Sequence, residues 1–144
     1  MPETRQYCTF YINKIFFGVE VTKIQEIIKY HEMTSVPLAN NVISGLINLR
    51  GQIVIAIDLR KRLGLPEFET QKPRMNVVIS RNDGALSLLV DEIGDVAELS
   101  EEEFETPPEN MKGLAHQLIC GAYKLKDRLL LILDIEKVLD IEAA

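Results

Sequence analysis

Nothing in this chain approaches the roughly 18 consecutive apolar residues of a membrane-spanning helix, and the N-terminal MPETRQYCTF lacks the apolar core of a secretory signal. The expected location is therefore the cytoplasm, with no direct membrane insertion. Cysteine is scarce as well. Cys8 and Cys120 stand far apart and outside any Cys-x-x-Cys pair, which leaves reduced thiols rather than a disulfide framework. Positive charge is in deficit: the net charge of -6 argues against nucleic acid and anionic lipid, both of which select basic patches.

Signatures of catalysis and metal binding are missing too. There is no Gly-rich phosphate loop, no Gly-x-Ser-x-Gly elbow and no His-Glu-x-x-His. His31, His116, Cys8 and Cys120 lack finger-like spacing, His116 and Cys120 being the nearest pair. The acidic run Glu101 to Glu103 lacks the alternating Asp/Asn pattern and the glycine of a calcium loop. We expect no metal, no cofactor and no enzymatic activity. An enzymatic or small-ligand reading would have to rest on Asp58 or Asp91 as acid or base, and Asp58 is already accounted for as a helix cap.

What the chain does have is a repeat. GLINLRGQIVIAIDLRKRLGL, residues 45–65, aligns without a gap on GAYKLKDRLLLILDIEKVLDI, residues 121–141. Gly45 falls on Gly121, Leu49 on Leu125, Arg50 on Lys126, Asp58 on Asp134 and Leu63 on Leu139. A weaker echo sets residues 18–27 over 87–96. At 144 residues the chain is one domain of two lobes, each too small to stand comfortably alone, and the face buried between them is where partners commonly bind.

The local pattern is mostly strand. Residues 6–12 and 15–19 form a hairpin around Asn13-Lys14, and residues 21–28 read as a short helical turn running into a strand. Val36-Pro37 forces extended backbone and opens a loop ending near Ser44. Leu46 to Leu49 and Gln52 to Ile57 are strands around Arg50-Gly51, followed by a two-turn helix that Asp58 caps and Gly64 stops. Leu65 to Lys72 is the expected crossover between lobes. Strands follow over residues 76–80, 85–90 and 93–98, with a turn at Asn82-Asp83-Gly84 and a capping box at Ser100 and Glu103. Thr106-Pro-Pro-Glu-Asn110 breaks regular structure before the second copy, strands over 118–125 and 129–133 and a helix capped by Asp134. Short strands with few helices give a mainly β protein of two small barrels or sandwiches. The runs Ile53 to Ile57 and Leu129 to Leu133 are apolar at every position, so both faces of these strands must be covered.

Val36-Pro37, Gly45-Leu-Ile-Asn-Leu-Arg-Gly51, Ile57-Asp-Leu-Arg-Lys-Arg-Leu-Gly64, Leu89-Val-Asp91 and Leu-Asp-Ile-Glu-Lys137 together resemble the CheW family of chemotaxis coupling proteins, over essentially the whole chain. The resemblance implies two intertwined five-stranded β-barrels. It also implies a non-catalytic adaptor between the regulatory domain of a CheA-type histidine kinase and the cytoplasmic tip of a methyl-accepting chemoreceptor. A paralogous coupling protein, such as one serving pilus-based motility, is the alternative. The chain departs from the family at Ile55, usually proline, and at Ser87, commonly glycine; the first restores a backbone donor and the second adds a hydroxyl that needs a partner if buried.

On the resemblance, the kinase would be bound on the first barrel by Val36, Pro37, Gly45, Asn48, Leu49, Arg50 and Gly51, and the receptor in a groove bordered by Ile24, Met75 and Val96. Aliphatic anchors and an adaptable methionine suit a helix docking in a groove, although apolar residues on a β-rich chain are usually core. Arg50 sits among strongly apolar strands, and guanidinium suits a partly buried fork with a carboxylate, for which Glu26 is the candidate; an arginine beside a turn glycine is otherwise a solvated residue of little energetic weight.

Overall fold

The computed structural model describes residues 3–37, 39–66, 74–81, 84–107 and 113–141. The expected crossover at Leu65 to Lys72 does not pass between lobes, since the strands before and after it share one sheet, and beyond Pro66 it lies outside the described residues, as do Asn82 and Asp83 of the expected turn and 108–110 of the proline-rich break. The strands are β1 (Thr4–Ile12), β2 (Ile15–Glu20), β3 (Ile24–Ile28), β4 (Ile43–Leu49), β5 (Gln52–Asp58), β6 (Met75–Arg81), β7 (Gly84–Val90), β8 (Glu92–Ser100), β9 (Ile119–Lys124) and β10 (Leu129–Leu133). Short helices α1 (Leu59–Arg62), α2 (Leu114–Leu118) and α3 (Ile135–Leu139) and two 3-10 turns, Val21–Lys23 and Glu101–Glu103, complete the set among the described residues.

The repeat governs local structure with fidelity. Asp58 accepts a hydrogen bond from the Lys61 N–H at 3.2 Å and Asp134 one from the Lys137 N–H at 3.3 Å, so both helices are capped alike. Both caps are anchored alike too, the Asp58 N–H to the Val42 carbonyl and the Asp134 N–H to the Leu118 carbonyl. α1 is a single turn rather than the two expected, because only four residues, Leu59–Arg62, lie between the Asp58 cap and the C-cap Leu63 that precedes Gly64 at φ 70°. α2 was not legible in the sequence, and its counterpart in the first copy, residues 38–42, has no helix among its described residues.

Assembly mixes the copies. One five-stranded sheet runs β8-β1-β2-β10-β9 and the other β3-β6-β7-β5-β4, so each takes a hairpin from one half of the chain and three strands from the other. Of the residues expected on the first barrel, 45–49 lie on β4, in the sheet that excludes the N-terminal hairpin, Arg50 and Gly51 form the turn after it, and Val36 and Pro37 lie in the segment that bridges to β4 through Thr34. Neither sheet is a closed barrel. Each curls until, among the described residues, a single bridge spans its open seam, Thr34 to Leu46 in one and Glu105 to Ala122 in the other, and the repeat relates Leu46 to Ala122.

Each sheet therefore has an apolar side facing the other sheet and one facing its own curl. Between the sheets lie Phe10, Ile12, Phe17 and Val19 against Ile57, Val77, Ile79, Leu88 and Val90, sealed by Leu59, Leu63, Val138 and Leu139 from the helices. The β4 sheet encloses Ile47, Leu49, Val54, Ala56 and Val78, and the β1 sheet Tyr7, Tyr123, Leu130 and Ile132. Ser87 is fully buried and donates to Asn76 Oδ1 at 2.7 Å, so the hydroxyl has its partner. Ile55 pairs with Leu46 on one side and Leu86 on the other, a position inside the sheet where proline would remove a donor.

Candidate docking surfaces

Cover is incomplete on one stretch of β5. Ile53, Ile55 and Ile57 share a face; the opposite sheet buries Ile57, whereas Ile55 is 37% and Ile53 59% exposed. The first copy thus departs from the expectation that both faces of this run are covered, because the strand runs past the edge of the facing layer. In the second copy Leu129 is similarly exposed, but Leu131, the counterpart of Ile55, is buried in the core to which α2 contributes Leu118. Leu46, opposite Ile55 and half-buried, continues the apolar surface across β4, and Thr34 bridges to it. Val36, two residues beyond, is also exposed. A contiguous uncovered apolar patch rimmed by polar groups marks a protein contact. The signal was present in the sequence: a strand apolar at every position calls for two covers, and the chain supplies one.

The residues expected at the kinase contact divide into two groups. Val36, Pro37, Asn48, Arg50 and Gly51 are exposed around this patch. Gly45 and Leu49 are buried on the inner face of the curl and cannot touch a partner, because alternation along β4 turns them away from Leu46 and Asn48. Their contribution runs through the shape of the sheet.

Arg50 and Gly51 form the β4–β5 turn with φ of 52° and 86°, the left-handed pair that a tight twisted hairpin needs, and Asn48 Oδ1 accepts the Gly51 N–H at 3.0 Å. From there the Arg50 guanidinium donates to Glu26 Oε2 on β3. β3 and β4 are opposite edges of one sheet, so this pair clips the curled seam where no ladder joins them. The Arg50 side chain is nevertheless 68% exposed, which corrects the expected partly buried fork: a turn residue projects past the strand ends and away from their apolar faces. The hydrogen bond from Arg50 holds the Glu26 carboxyl below its ordinary pKa. A pair this exposed adds little to folding. Arg50→Ala is expected to leave the melting temperature unchanged, and Arg50→Glu to do more harm than Arg50→Ala in a partner-binding assay, since it sets two carboxylates together. Adding Glu26→Arg should restore part of that loss; strictly additive effects in the double-mutant cycle would break the pairing as a functional unit.

The three groove residues are divided between the two sheets. Ile24 opens β3 opposite Ile79 and Met75 opens β6 opposite Val90, at opposite ends of the β3–β6 ladder, and both are half-buried against the core between the sheets. Val96 lies on β8, the edge strand of the other sheet, opposite Cys8, and is 59% exposed. The repeat echo makes β3 and β8 counterparts, each an outer edge of its sheet.

Both carboxylates that an enzymatic reading would use are committed to the fold. Asp58 Oδ1 caps α1 and Oδ2 accepts from Arg74 at 2.9 Å. Asp91 is held by Arg60 and by the Asn13 N–H. Among the described residues no helix is long and apolar enough to cross a membrane.

A family model described as a CheW-like domain matches residues 6–143. The chain is 37% identical over 135 residues to the chemotaxis protein CheW of Bacillus subtilis, covering 94% of this chain and 86% of that protein. It is 30% identical over 138 residues to the chemotaxis protein CheW of Klebsiella aerogenes, with 96% and 83% covered. Among solved structures it resembles the scaffolding protein TtCheW from Thermoanaerobacter tengcongensis with a TM-score of 0.86 and 25% identity, over 99% of this chain and 95% of that one.

Proposed function

The chain belongs to the CheW-like family and serves chemotaxis as a coupling adaptor, and from that premise we propose that the two things it couples are the regulatory domain of a CheA-type histidine kinase and the cytoplasmic tip of a methyl-accepting chemoreceptor. It works in the cytoplasm, recruited to the receptor array by these contacts, and holds its partners without turning over a substrate. The observation that carries the kinase side is the uncovered apolar face of β5, Ile53 and Ile55 beside Leu46 and Val36. A kinase domain of the same fold would offer a like sheet, and pairing two such faces supplies the second cover that this strand lacks. Arg50, Asn48 and Pro37 then stand at the polar rim, where charge sets orientation and partner choice more than affinity.

The receptor side rests on the edges β3 and β8 and on the apolar residues Ile24, Met75 and Val96. A helical hairpin laid across them would bury these apolar anchors. Val96 gives the clean test because it is exposed before binding. Val96→Asp is expected to weaken binding of a receptor cytoplasmic fragment by about 30-fold or more while leaving kinase binding and the melting temperature unchanged. Charges at Ile24 or Met75 are expected to lower the melting temperature as well, since both pack on the core. Titration calorimetry of the intact protein against each partner fragment decides the proposal: binding to both supports it, and failure to bind either overturns it.

A further inference from the structure

Among the described residues the chain passes between the two sheets at two places, through Glu20 and the 3-10 turn Val21–Lys23 into β3, and at Asp91, the single residue between β7 and β8. The first crossing is an open surface feature: Glu20 pairs with Arg5, whose side chain is 50% exposed. The second is built differently. Arg60 on α1, only 9% exposed in its side chain, donates through Nη2 to Asp91 Oδ1 and through Nε to Asn13 Oδ1 at 2.9 Å. Asn13 returns its backbone N–H to Asp91 Oδ2 at 2.9 Å and its side-chain amide to the Pro66 carbonyl at 2.7 Å. The Asp91 N–H is bonded to the Tyr11 carbonyl at 3.0 Å.

Asn13 sits in the tight turn of the β1–β2 hairpin, with φ at 51°. Arg60 is tied through β5 to the other sheet. The network thus closes over the crossing residue and holds a turn of one sheet against a helix of the other, with both carboxylate oxygens and the guanidinium engaged. A buried ion pair of this kind adds little net stability compared with apolar packing, which the adjoining core already supplies; what it adds is a fixed geometry.

We propose that Arg60, Asp91 and Asn13 form a clamp that sets the pose of one sheet relative to the other, and that receptor binding depends on it while kinase binding does not. The asymmetry follows from where the surfaces lie. The kinase patch is carried by β4 and β5 of one sheet and by Val36 in the segment bridged to β4, and keeps its shape if the sheets shift. The receptor groove draws Ile24 and Met75 from that sheet and Val96 from the other, so it keeps its spacing only while the sheets are held. This inference rests on the partner assignment above, and the test includes a measurement that needs no partner.

Asp91→Asn keeps the shape and an acceptor but leaves the Arg60 guanidinium without its counter-charge. The intact variant is expected to bind a receptor fragment about tenfold more weakly, and the kinase regulatory domain within about twofold of the parent. Asn13→Gly preserves the left-handed turn and removes only the asparagine side chain; it should show the same order with a smaller loss, and it guards against Asp91→Asn failing to fold. Spin labels on cysteines replacing Ser80 and Asp95, one exposed site on each sheet, in a Cys120→Ser background, should give a narrow distance distribution in the parent and a broader one in Asp91→Asn. Equal loss of both partners, or unchanged receptor binding with an unchanged distance distribution, would overturn the clamp. If the parent protein binds neither partner, the partner assignment falls, and the distance measurement still decides whether the network fixes the sheets.

Discussion

Gly45→Asp is expected to cost about 3 kcal/mol or more and to lower the melting temperature by about 10 °C, losing kinase binding along with the fold that carries it. The cause is close approach rather than an unusual backbone angle. A Cβ at Gly45 would stand 2.8 Å from the Thr34 carbonyl oxygen and 2.9 Å from the Met33 Cβ, in the segment that bridges the seam of the β4 sheet. Backbone cannot swing aside as a side chain can, so the bridge must open. The carboxylate then adds a second penalty, a charge forced against a carbonyl in a buried site. The repeat supplies an internal control. At Gly121 an added Cβ would overlap the far end of the Phe104 ring, a 41% exposed side chain packed against Tyr123, which can shift where a backbone carbonyl cannot. Gly45→Ala should therefore destabilise clearly more than Gly121→Ala when both are followed by thermal melting. Equal costs would mean that the Thr34 bridge is not what the glycine accommodates.

Ile53→Glu should have the opposite profile, an intact fold and a lost partner. With 59% of the residue already in water, the substitution is expected to change stability by no more than about 0.5 kcal/mol. If β5 meets the kinase domain, the buried and unpaired glutamate costs about 2–5 kcal/mol of binding, roughly 30- to 4,000-fold in affinity. Leu129→Glu changes the repeat-related position in the same way on the other sheet, and should leave kinase binding untouched. Calorimetric titration of both variants with the kinase regulatory domain separates the outcomes. Wild-type affinity in Ile53→Glu would remove β5 from the contact, and equal losses in the two variants would point to a general effect of charge.

Much of the local architecture was legible before any coordinates. Turn chemistry at Asn13-Lys14 and Arg50-Gly51 and the aspartate caps of α1 and α3 are short-range effects, set by residues within a few positions of one another. The repeat could be read for the same reason, since a supersecondary unit copied in sequence is copied in its caps, its anchoring carbonyls and its bridged strand. α2 escaped notice because five residues between a glycine and a strand carry too little periodicity to register.

The candidate sites were legible only in part. Val36, Pro37, Asn48, Arg50 and Gly51 form a surface, and Arg50 meets Glu26, but Leu49 and Gly45 sit inside. Alternation along β4 separates these groups, and the choice of inner face is made by the sheet's curl rather than by the residues of the strand. The exposure of Arg50 has the same origin, because a hairpin tip lies beyond the layer that buries its strands.

The sequence by itself determined the strands, their turns, the caps, the twofold repetition and the absence of the common catalytic and metal motifs, because each of these depends on near neighbours or on composition. Only the tertiary structure decided which hairpin joins which sheet, that the sheets stay open along a bridged seam, that Ile53 and Ile55 lack a cover while Leu131 has one, and that Arg60 and Asn13 close over Asp91. Those outcomes depend on how far one curled sheet extends over another. Two copies of nearly the same pattern meet different neighbours there, and burial follows the neighbours.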